Sequence, residues 1–145
     1  MKKGHFFTAG VLVFTIYTIF HDKSDHVEAA QTTKAEVNPQ LGEICKATAA
    51  MTFGHDYKIM KLDRVNTDGI AFVHYNRPSD NSRWAIKCRL EGYNVIWASD
   101  NPDSLGRWRN DPLDGELWYS ISSYKLSLTQ KYSDGSVVMK TYELK

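Results

Sequence analysis

The stretch Arg83-Trp84-Ala85-Ile86-Lys87-Cys88-Arg89-Leu90 decides how this chain folds. Trp84, Ile86, Cys88 and Leu90 alternate with Arg83, Ala85, Lys87 and Arg89. A period of two is the mark of a strand with one face on a core and the other on solvent. Cys88 lies on the apolar face, and Arg83, Lys87 and Arg89 form a basic stripe on the other. Glu91-Gly92 follows and reads as a two-residue turn. That turn sets Cys88 opposite Val95 and Ile86 opposite Trp97, so core residues meet core residues.

Upstream, the period changes. Asn38-Pro39 suits the start of a helix, with Asn at the N-cap and Pro at N1. Leu41, Ile44, Cys45, Thr48 and Met51 then recur at three- and four-residue spacing. Ala47, Ala49 and Ala50 favour a helix, and Gly54 stops it. A helix is expected over 39–53. Cys45 lies on its apolar face. The chain has two cysteines, so an oxidising compartment permits one connectivity, Cys45–Cys88. That bond requires helix and sheet to pack face to face. Closing a loop of about 40 residues contributes about 4 kcal/mol in the chain-entropy model. No His sits near either Cys in sequence, and two thiols alone make a poor zinc site.

Further hairpins surround this unit. Asp68-Gly69 separates 58–67 from 70–76, and Asp134-Gly135 separates 125–133 from 136–144. Two-residue turns at these places set Asp63 opposite His74, Tyr132 opposite Val137 and Leu128 opposite Thr141. Leu117, Tyr119 and Ile121 mark another strand. The expected fold is α+β, one N-terminal helix packed on a meander sheet of six or seven antiparallel strands and pinned by one disulfide.

The N-terminus differs from this domain. Lys2 and Lys3 precede an apolar run from Phe6 to Phe20, about 22 Å as a helix. A hydrocarbon core is about 30 Å thick. The run is short for a spanning helix and right for an export signal. Val27-Glu28-Ala29 offers a cleavage site. Residues 1–29 are therefore expected to be a signal peptide, with an uncleaved N-terminal anchor as the alternative. Residues 30–38 read as a polar tether and 39–145 as a single domain. Export to the periplasm follows from that reading, or attachment to the inner membrane through residues 6–20 if the leader stays.

The 145 residues carry a net charge of +1, too balanced for a nucleic-acid binder that works by bulk electrostatics. No strand carries an RNP-like aromatic signature. No cofactor is implied. Asp100, Asp103, Asp111 and Asp114 lack EF-hand spacing and read as turn residues beside Pro102 and Pro112. Asp63 and His74 form an Asp–His pair without a nucleophile elbow, which leaves a hydrolase as a distant third reading. His55 follows the helix end, where a cation suits the dipole.

The segment 99–116 has no alternation and is long for a connection in a compact domain. It contains Arg107-Trp108-Arg109, residue types enriched at binding hot spots. The competing reading places Trp108 in the core and the arginines in solvent. Arg83, Lys87 and Arg89 form a second candidate surface. The expectation is a small exported, non-enzymatic module that binds another envelope or secreted protein, as inhibitors, immunity proteins and assembly accessories do. Binding of a small ligand or glycan by the sheet and this loop is the alternative.

Overall fold

The computed structural model describes residues 36–145. The expected leader, 1–29, and all but the end of the expected tether, 30–38, lie outside the described residues. Helix α1 spans Leu41–Phe53, two residues shorter at its start than its sequence pattern suggests. Gln40, not Asn38, is the N-cap. Asn38 makes a turn just before it: its Oδ1 accepts from the Gln40 N–H at 2.9 Å and its carbonyl from the Leu41 N–H at 3.0 Å. Gly54 closes α1 at φ 67°, its N–H donating to the Ala50 carbonyl.

Seven strands follow: β1 Lys61–Val65, β2 Ala71–Asn76, β3 Arg83–Glu91, β4 Asn94–Ser99, β5 Glu116–Ser122, β6 Lys125–Lys131 and β7 Val137–Glu143. They form one antiparallel sheet in chain order, so the α+β meander is the fold. α1 packs on the face that carries Val73, Ile86, Cys88, Val95, Leu126 and Leu128. The alanines of α1 let the helix approach closely: Ala47, Ala49 and Ala50 are buried together with Leu41 and Ile44. Cys45 and Cys88 are fully buried and joined, with their Cα atoms 5.6 Å apart. The disulfide therefore spans the helix–sheet interface, as two cysteines on two apolar faces require. No helix among the described residues is long and apolar enough to cross a membrane.

Three registers differ from the sequence reading. The β3–β4 turn is Gly92-Tyr93, with Glu91 opposite Asn94. Cys88 thus faces Trp97 and Ile86 faces Ser99. Each partner moves by two, which keeps the faces right. The other two hairpins have three-residue loops in which the glycine supplies the positive φ, 75° at Gly69 and 86° at Gly135. In the first, a β-bulge between Leu62 and Arg64 absorbs the extra residue, and His74 stands opposite Lys61. In the second nothing absorbs it. Lys131 pairs with Val137 and Leu128 with Lys140, not Thr141. The odd slip turns β7 over: Val138, Lys140 and Tyr142 share the face of Leu126 and Leu128, and Val137 and Met139 point away from α1.

Candidate functional site

The sheet parts between β4 and β5. These strands pair at Asn94 and Trp118 and are joined by the Tyr119 N–H to the Tyr93 carbonyl, then diverge. The segment 100–115 fills the space this opens. Its Arg109 N–H donates to the Trp97 carbonyl at 2.8 Å, taking the position β5 leaves free on β4. Asn101 fastens the other end, its Oδ1 accepting from the Ala85 N–H at 2.8 Å, while the Asp100 N–H donates to the Ala85 carbonyl. The segment crosses the face of β3 and β4 opposite to α1.

That face is not open to solvent. Ala85, Ile96 and Ala98 lie on it and are 3%, 8% and 0% exposed, yet they are not part of the core beneath α1. They form a second, smaller apolar layer under the loop. Trp108 is half-buried there, with the Arg89 guanidinium 4.7 Å and the Lys87 ammonium 5.2 Å from its ring centroid. Both distances suit cation–π attraction. Neither reading of Trp108 holds alone, since it caps a small core and is also flanked by cations.

Asp114 holds the loop closed. The Arg107 guanidinium donates both ends of its fork to the Asp114 carboxylate, at 2.7 and 2.6 Å. The Asp111 N–H donates to it at 3.0 Å, and Arg109 lies 3.7 Å away. Asp111 in turn caps the 3₁₀ turn Pro112–Asp114 in a reciprocal capping box. Arg107, the backbone N–H of Asp111 and the charge of Arg109 hold the Asp114 carboxyl down at about 2. The side chains of Arg107 and Arg109 remain 56% and 45% exposed, and Arg109 stacks over the Trp97 ring at 4.4 Å.

The structure keeps two surfaces. Lys87 and Arg89 meet the Trp108 ring on the face away from α1, whereas Arg107 and Arg109 form a cluster on Asp114, and Arg109 covers Trp97, whose ring packs against Phe53 on the α1 side. Arg83 meets neither group. It lies at the far end of β3 and pairs with Asp63 at 3.0 Å, and the same carboxylate holds His74 Nδ1 at 2.6 Å. The bulge at Asp63 makes this contact, in place of the direct cross-strand pairing expected. The second oxygen of Asp63 is bound to Arg83, and no hydroxyl or thiol hydrogen-bonds to His74 among the described residues.

Sequence reasoning missed Asp114 as the hub of the loop, and Asn101 as its anchor. The spacing Asp111-Pro112-Leu113-Asp114 carried the signal, since a capping box with Pro at N1 is readable from residues alone. Beside the cluster, at the parting of β4 and β5, runs a cleft of about 500 Å³ lined by Asn94, Trp97, Arg109, Glu116, Gln130 and Tyr132. Asn94 Oδ1 is buried there with no hydrogen-bond partner among the described residues. No group of three or more His, Cys, Asp or Glu among the described residues is placed to hold a metal ion. No family model matches the chain, and no curated protein or solved structure matches it.

Proposed function

We propose that the chain is a non-enzymatic protein-interaction module of the bacterial envelope, of the inhibitor, immunity or assembly-accessory kind. It grips an acidic surface on another envelope or secreted protein. One observation carries this reading: Arg107 and Arg109 stand exposed beside Trp108 on a loop that Asp114 and Asn101 brace at both ends. Lys87 and Arg89 flank the Trp108 ring on the face of the sheet away from α1 and add positive charge there. Arginines held in place lose little side-chain entropy on binding, and a half-buried Trp gives them an apolar neighbour, which is how binding hot spots are built. The apolar N-terminal run and the disulfide support an exported protein.

Pull-down from envelope extract with wild type and an Arg107→Ala/Arg109→Ala variant tests this. Arg107 also braces the loop through Asp114, so proteolysis within 100–115 is compared in the two chains and loss of a partner counts only where cleavage is unchanged. The wild type is expected to retain an acidic protein that the variant loses, and raised salt is expected to release it. Identical partner lists from both chains remove the loop from consideration.

A second reading rests on the cleft between β4 and β5. Its size suits a small ligand or a glycan unit, and Asn94 Oδ1, buried at its wall, has no donor among the described residues. Trp97 lines the cleft, so its fluorescence reports occupancy. No quenching by cell-wall fragments or sugars at millimolar concentration counts against that alternative.

A further inference from the structure

The two edges of the sheet are built differently. β1 is short, is broken by the bulge at Asp63, and carries Lys61, Asp63 and Arg64. Short length, a bulge and charge are the devices that keep an edge strand from pairing with another chain. β7 has no bulge, and its pairing with β6 is regular along its whole length. It opens with three consecutive apolar residues. Val137, Val138 and Met139 are 58%, 39% and 68% exposed.

The hydrogen-bond phase of β7 follows from its two ends. The Tyr132 N–H donates to the Ser136 carbonyl, and the Leu144 N–H to the Tyr124 carbonyl. In an antiparallel ladder every second residue points its backbone groups at the neighbour. Residues 136, 138, 140, 142 and 144 therefore face β6. Val137, Met139, Thr141 and Glu143 turn their N–H and C=O groups away from β6, to an edge that no strand occupies among the described residues.

We propose that β7 pairs antiparallel with β7 of a second copy of this chain, with Met139 on the two-fold axis. The side chains select that register. Odd residues must face odd residues if their backbone groups are to meet. Centring the pair on Lys140 gives the longest overlap but sets two lysines directly opposite, which is unfavourable. Moving the axis to Met139 sets Val138 against Lys140 and Val137 against Thr141, with no like charges opposed. Each facing pair of odd residues, Val137 with Thr141 and Met139 with Met139, exchanges both main-chain hydrogen bonds. The exposed side chains of Val137 and Met139 from both copies then form one apolar stripe across the joint. A β7 that ran in the register first expected would not have this stripe on its outward face.

Cysteine cross-linking in the full-length chain, expressed with its own N-terminus, tests the pairing. Facing residues of a hydrogen-bonded pair have Cα atoms about 5.5 Å apart, within disulfide reach. Under mild oxidant, Met139→Cys is expected to give a homodimer on non-reducing gels. Val137→Cys is expected to cross-link with Thr141→Cys when the two chains are co-expressed, several-fold above Tyr124→Cys, an exposed control at the β5–β6 turn. Adding Thr141→Pro to Met139→Cys is expected to abolish the product, because that N–H points away from β6 and its loss spares the ladder. If that variant does not fold, Met139→Lys in both Val137→Cys and Thr141→Cys chains does the same by placing like charges on the axis. Cross-linking no better than at Tyr124, persistence in the blocked variants, or capture of a different protein at position 139 overturns the proposal.

Discussion

At the scale of single residues, Asp114 has the most leverage. Its carboxyl is held at about 2, chiefly by the Arg107 fork, then by the Asp111 N–H and the Arg109 charge. A depressed carboxylate stabilises the fold fully above its unfolded pKa of about 4 and ceases to do so as pH falls through the folded value. Asp114→Asn is therefore expected to be less stable than wild type by a gap that stays constant from neutral pH to about 5 and narrows between about 4 and 2. Urea titrations at stepped pH measure it, and a gap independent of pH would deny Asp114 this role. The next residue is equally constrained. Gly115 has φ 76° and ψ −171°, and a Cβ there would sit 2.3 Å from the Lys131 carbonyl oxygen. Gly115→Ala is expected to cost at least about 2 kcal/mol by denaturation, strain and clash together. Gly115 was not visible as special in the sequence, because it matters through Lys131, which only the fold brings near, whereas Asp114 was half-legible: its capping box with Asp111 can be read from the residues, its grip on Arg107 cannot. Cys45 and Cys88 were legible because each sits on an apolar face whose period is local.

At the scale of elements, strand identity was legible and register was not. Alternation marks a strand regardless of its partner, so β3, β5 and β6 could be read directly. The turn decides the partner, and Asp-Gly is compatible with both two- and three-residue loops. Here Asn66 Oδ1 accepts from the Asp68 and Ile70 N–H groups, and Asp134 Oδ1 accepts from the Ser136 N–H. These side-chain contacts support the longer loops. The basic stripe of β3 was also read correctly as a face, but its cover was not foreseen. Ala85 in that stripe was the sign, a small residue where a solvated strand has no need of one. Trp108→Ala is expected to uncover Ala85, Ile96 and Ala98 and to lose about 2 kcal/mol, less than the cost of a fully buried Trp. Chemical denaturation gives the loss. Proteolysis within 100–115 is expected to quicken in the same variant, as the loop opens without the rest of the sheet.

For the whole molecule, the small core and its disulfide act together. The described domain buries one helix on one side of a sheet, and the bond between them closes 43 residues. Replacing both Cys45 and Cys88 by Ala is expected to lower stability by about 4 kcal/mol, a large part of what a domain of this size has. Calorimetry is expected to show Tm lower by about 15–25 °C. The strand order has a consequence for how this structure is reached. Every strand lies beside the one made just before it, so each pairing search spans a short piece of chain and the contact order of the sheet is low, which favours rapid folding. The sheet is able to grow by one strand at a time as the chain lengthens, with α1 and β1–β3 lockable by the disulfide before β4 is complete. Among the described strands β7 is the last to join, and the side it turns away from β6 offers the same main-chain geometry that each earlier strand offered to its successor.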